Sequence, residues 1–161
     1  MSHLKYTIYI LALLFILTMG CKEEKDCLDY GGNSGLILYE VEMGKCYSVL
    51  DTSKIIVNDT VLYKKLPQFT IDSVQQSLGC APSPSRPTLN FDTITLLGAK
   101  TEAQGCIVTY EREVNYSEAD NNITYTIDIH ECGECNENRI SMNWVAIKKK
   151  KNINNLQVLV R

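Results

Sequence analysis

Apolar and polar residues alternate along most of this chain with a period of two, the spacing of half-buried β-strands. Val108, Tyr110 and Val114 alternate with polar neighbours, and so do Ile123, Tyr125, Ile127 and Ile129, so each of these segments predicts a strand with one wet face. The same pattern predicts strands over residues 36–41, 46–50, 54–57, 89–97, 106–114, 123–129, 140–147 and 156–160. Residues 141–147 carry apolar groups on both faces and are expected at the centre of a sheet. Two short helices interrupt the strands. Asn58 or Asp59 caps one that carries Val61, Leu62 and Leu66 on one side and stops at Pro67. Asp72 and Gln75 form a capping box for the other, which pairs Val74 with Leu78 and ends at Gly79. Residues 81–87 hold three of the four prolines and read as an internal loop. The lysines at 148–151 and the residues 152–155 read as the turn of a last hairpin. The expected fold is mainly β, an antiparallel small sandwich or partly open barrel with one or two short helices.

Strand register follows from the same alternation. Facing residues share a face, so even-numbered apolar positions of one strand must meet odd-numbered ones of the next. Val108 is therefore expected opposite Ile129, and Val114 opposite Ile123. Cys106 then falls opposite Glu131, and a bond to Cys132 requires a bulge at the strand end.

The first residues do not fit this pattern. Lys5 leads into an uncharged run from Ile8 to Leu17, and Thr18-Met19-Gly20-Cys21 follows. The run is shorter than the roughly 20 apolar residues a membrane span needs, and it reads as a secretory signal peptide, residues 1–20. Its end resembles the lipobox of bacterial lipoproteins, with Thr18 where Leu is usual. The resemblance implies cleavage, lipidation of Cys21 and an anchor in the outer membrane of the cell envelope, with ordinary secretion as the alternative. Residues 22–26, a lysine followed by acidic residues, resemble the signal that sends some Gram-negative lipoproteins to the cell surface. Residues 21–35, charged and then glycine-rich, read as a tether, and residues 36–161 as a single domain.

Loss of Lys5 with the leader takes the formal charge from −3 to −4. That mild acidity excludes nucleic acid, whose phosphates demand a basic face. Of the seven cysteines, six lie beyond Cys21: Cys27, Cys46, Cys80, Cys106, Cys132 and Cys135. An even number in an exported chain indicates a disulfide framework. Cys106 is expected to bond Cys132 or Cys135 with Cys80 taking the other, and Cys27 to bond Cys46.

From residue 88 the chain resembles the C-terminal domain of PrcB-like proteins, named for a regulatory subunit of a spirochaete surface-protease complex. Leu89-Asn90-Phe91-Asp92, Ile94-Thr95-Leu96-Leu97-Gly98 and Asn143-Trp144-Val145-Ala146-Ile147-Lys148 carry the likeness. At the Gly-containing turn the family commonly has Thr-Gly-Gly-Tyr, and this chain has Thr101-Glu102-Ala103-Gln104-Gly105-Cys106. The resemblance implies a β-rich accessory domain that assists or restrains a larger protein partner, without implying a protease.

Candidate chemistry is sparse. His130, Cys132 and Cys135 have spacing that suits zinc, but cysteines in an oxidising compartment pair with one another, so zinc or a reactive thiol is the lesser reading and no cofactor is expected. His130 is the sole histidine after cleavage, no nucleophile motif is present, and the carboxylates fall in turns and on wet faces, so catalysis is not expected. Tyr39, Tyr47, Tyr63, Tyr110, Tyr116 and Tyr125 could make a carbohydrate platform, though their alternation suits sheet and core positions better. Trp144 is expected in the core. The Asp-Thr-Val, Asp-Ser-Val and Asp-Thr-Ile triplets at 59–61, 72–74 and 92–94 resemble an O-glycosylation signal of gut bacterial secreted proteins. The expectation is a lipid-anchored, disulfide-stabilised envelope domain that acts by protein–protein contact. A surface carbohydrate-binding accessory protein is its first rival.

Overall fold

The computed structural model describes residues 30–43, 54–66, 86–133 and 136–161. The strands are β1 (Gly32–Gly35), β2 (Ile37–Glu40), β3 (Lys54–Val57), β4 (Ile94–Gln104), β5 (Ile107–Ser117), β6 (Asn122–Cys132), β7 (Asn138–Lys148) and β8 (Asn155–Val160). One helix, α1 (Thr60–Lys64), stands between β3 and β4. The first sheet has the order β1-β5-β6-β8 and the second β2-β7-β4-β3. The protein is mainly β, and the two sheets pack face to face without closing into a barrel.

The core between the sheets is built by alternate residues of four long strands. Leu97, Ala99, Val145 and Ile147 come from the second sheet and meet Val114, Ile123, Tyr125 and Ile127 of the first. Burial of each large side chain contributes about 1.5–3 kcal/mol, so this row dominates the fold's stability. The opposite face of the second sheet is also apolar. Ile94, Leu96, Trp144 and Ala146 lie there beneath Tyr63, Leu66 and Phe91. Hence β4 and β7 are central and two-faced, as the sequence of residues 141–147 predicts, and Trp144 is buried. Gly98 stands opposite Trp144, where a Cβ would lie 2.4 Å from the ring. The indole needs that gap.

Several sequence expectations shift. The ladder of β5 and β6 keeps the expected parity but slides by two residues: Tyr116 faces Ile123, Val114 faces Tyr125 and Tyr110 faces Ile129. The loop is the cause. It closes at Ser117 and Asn122, placing Asn121 in the left-handed region at φ 53°, where asparagine is tolerated better than most residues. The Tyr116 hydroxyl bonds Asn121 Oδ1 at 2.5 Å. β4 starts at Ile94 rather than 89, because Asn90 Oδ1 accepts from the Asp92 amide and Asn90 O from those of Thr93 and Ile94, forming a turn. At its other end β4 runs through Thr101 to Gln104, so the turn is confined to Gly105 and Cys106.

Residues 148–155 are not a hairpin turn. β8 joins the first sheet, parallel to β6, because β7 already has β2 and β4 on its two sides. Leu156 and Val158 then complete the core between the sheets. The glycine-rich residues read as tether extend less far than expected, since Gly32–Gly35 pair in parallel with Glu111–Val114. In α1, Asp59 is the cap and accepts from the Leu62 amide at 2.7 Å. Its buried side is Tyr63, followed by Leu66 in the next turn, whereas Val61 is 64% and Leu62 38% exposed. Tyr63 wins because its ring packs on Phe91 while its hydroxyl donates to Pro87 O at 2.8 Å. The strand expected at 46–50 and the helix at 72–78 lie outside the described residues.

Candidate functional site

Three places gather unusual chemistry, and the first is inside the sandwich. Arg112 occupies an inward-facing position of β5, in the row that holds Tyr110 and Val114. A buried guanidinium requires partners, and the second sheet supplies them. Arg112 Nε donates to Asn143 Oδ1 at 2.9 Å, and its two terminal nitrogens grip the carboxylate of Glu40 at 3.1 Å each. Asn143 Nδ2 in turn donates to Thr101 Oγ1 at 2.9 Å. The guanidinium carbon lies 5.1 Å from the centre of the Tyr110 ring. Burial pushes the Tyr125 phenol well above its ordinary value, against the pull of the nearby Arg112 charge. This network joins the two sheets and fixes β2, through Glu40, against β5.

The second place is the β2 edge. Among the described residues β2 pairs with β7 on one side only, and the register shifts between Ile37 and Tyr39. Ile37 packs into the inter-sheet core. Leu38 and Tyr39 remain 55% and 45% exposed. Two large apolar side chains thus stand together on an edge strand whose next residue is clamped by an arginine.

The third is the outer face of the first sheet. A cleft of about 280 Å³ lies between Gly31–Ser34 and the carboxylates of Glu111, Glu113 and Asp128. Beside it Tyr30 stacks on His130, with ring centres 4.3 Å apart and planes 20° apart. His130 Nε2 is 3.6 Å from Glu111 Oε1 and makes no hydrogen bond.

The residues singled out from the sequence fall as follows. Cys106 and Cys132 are both disulfide-bonded. Both lie at the end of the β5–β6 ladder, where Ile107 faces Cys132 and the Cys106 amide donates to Cys132 O at 3.1 Å. Cys21, Cys27, Cys46, Cys80, Cys135 and Tyr47 lie outside the described residues. With Cys132 in a disulfide, one of the two thiolates of the zinc reading is not available to His130, and no three His, Cys, Asp or Glu side chains among the described residues converge to hold a metal. The tyrosines do not share one face. Tyr63 and Tyr125 are buried and Tyr110 and Tyr116 half-buried, which leaves Tyr39 as the exposed one of these five. Lys150 lies over the Tyr116 ring at 4.1 Å, and Lys149 donates to Asn58 O. The lysine run therefore fastens a connection as well as facing water.

Sequence reasoning missed Glu40, Thr101, Arg112 and Asn143. A signal was present: Arg112 sits on the apolar parity of β5, and Asn143 on that of Val145 and Ile147. A charged or amide side chain in a core row marks a buried polar contact. Comparison with protein-family models, curated proteins and solved structures found no match.

Proposed function

We propose that this chain is a lipid-anchored, disulfide-stabilised domain of the bacterial cell envelope that works by protein–protein contact rather than by catalysis. Lipidation at Cys21 holds it to the outer membrane, and Cys27, Cys46, Cys80, Cys106, Cys132 and Cys135 staple it. Its PrcB-like half, residues 88–161, makes an accessory or regulatory role beside a surface protease the favoured form of that contact. The observation that supports the reading best is the β2 edge, where Leu38 and Tyr39 stand exposed on a strand that, among the described residues, is paired on one side only. An edge strand offers unpaired backbone groups as well as side chains, the combination used when a partner adds a strand to a sheet. Such an edge is useful only if it is held still. The Arg112–Glu40 clamp supplies that rigidity.

Cross-linking in intact cells tests this. A photoreactive residue at position 39 is expected to capture a discrete envelope protein, and Leu38→Arg is expected to abolish the capture while leaving folding and localisation intact. Equal capture from a control position on the outer face of the first sheet, such as Thr124, would refute the assignment.

A further inference from the structure

The segment that joins the tether to the domain is fastened in an unusual way. β1 reads Gly-Asn-Ser-Gly, with all four residues exposed, so it brings no apolar side chain to the core. Its glycines lose the most conformational freedom on ordering. Gly35 cannot be replaced, since it has φ +68° and a Cβ there would lie 2.2 Å from Val114 O. The pairing with β5 is parallel, the slightly weaker kind. Beyond that ladder, Leu36 donates from its amide to Val114 O at 2.8 Å, and the Ser34 hydroxyl reaches Arg112 O at 3.4 Å. Beside the segment, a cleft is lined by Glu111, Glu113 and Asp128. What closes the segment is the Tyr30 ring, laid across β5 onto His130 of β6.

We propose that residues 30–35 form a strap that lifts from the first sheet as a unit, hinged at Leu36, with the Tyr30–His130 stack as its clasp. The inter-sheet core does not depend on the strap until Leu36 and Ile37, which pack against it. Lifting therefore leaves the sandwich standing. It bares the stretch of β5 from Glu111 to Val114. Parts of a protein with few apolar contacts open far more often than the core does. The strap is such a part.

Amide hydrogen exchange on the full mature protein tests the strap. In the wild type, amides of residues 32–35 are expected to exchange about a hundredfold faster than those of β4 and β7. Tyr30→Ala is expected to accelerate residues 32–35 at least about tenfold further while β4, β7 and the melting temperature stay unchanged. Tyr30→Phe, which keeps the stack and loses only the hydroxyl, is expected to restore the wild-type rate. Exchange of residues 32–35 at the rate of the central strands would overturn the proposal. So would an effect of Tyr30→Ala that is absent, or that spreads equally over the whole protein.

Discussion

At the scale of single residues, the most consequential position is Arg112. Its charge is buried and its partner Glu40 is 44% exposed, so removing either end of the pair leaves a different group behind. Glu40→Ala strands a cation inside the sandwich, and Arg112→Met leaves a carboxylate that water can reach. Glu40→Ala is therefore expected to destabilise the domain by about 1–3 kcal/mol in urea unfolding, and Arg112→Met, which leaves the buried Asn143 Oδ1 without its donor, by a similar amount. No loss on Glu40→Ala would mean that the pair does not hold the edge. Gly98→Ala tests the other face of the second sheet. The added methyl meets Trp144 at 2.4 Å, and a loss of about 1–3 kcal/mol is expected from overpacking. Tyr125 gives a pH dependence. Its folded-state pKa lies above the ordinary value of 10 because burial favours the neutral phenol. The group thus leaves stability unchanged well below pH 10 and lowers it as pH rises past 10, where only the unfolded chain ionises. Tyr125→Phe is expected to flatten that part of the stability curve, as measured by denaturant midpoints at successive pH values.

At the scale of elements, what the alternation could show and what it could not separate cleanly. The inward rows of β5 and β6 were legible because each has one apolar face, and the two faces of β7 because its residues are apolar on both. The slide of the β5–β6 register was not legible, because parity is blind to a shift of two. Only the loop decides it, through one asparagine at positive φ. Asn121→Gly, which keeps the backbone conformation and loses only the Tyr116 hydrogen bond, is expected to cost no more than about 1 kcal/mol, whereas Asn121→Val is expected to cost about 1–2 kcal/mol more, because a β-branched residue is strained there. A hairpin formed with the alternative register would tolerate both changes alike. The partner of β8 was hidden for a different reason. A strand's sequence says that Leu156 must be buried, and only the occupancy of β7 on both sides says in which sheet. In α1 a single turn and a half cannot express helical periodicity, so a capped segment was readable at Asp59 while its buried side was not.

At the scale of the whole molecule, the sequence speaks most plainly about address and the structure about shape. The leader and the even cysteine set carry the expectation of an exported, stapled domain, while the two-sheet sandwich brings seven of the eight described strands to a common core. Function lies between these two, in surfaces that neither names. The candidate surface was legible only in part: Tyr39 was singled out for its ring, but its place on an exposed edge depends on the clamp that Arg112 makes across the sandwich, and no local pattern reveals a contact between residues 40 and 112. The outer face of the first sheet was invisible for the same reason, since Tyr30 and His130 are a hundred positions apart in the chain and meet only through β1.

The envelope-anchored, stapled character on which the functional reading stands is tested most directly by the intact mass of the protein isolated from its own cells, taken before and after reduction. The account predicts a chain that begins at Cys21, carries added acyl mass, and gains two hydrogens for every disulfide until all six cysteines beyond Cys21 are freed. A full-length chain with its leader in place, no acyl mass and no change on reduction would contradict it.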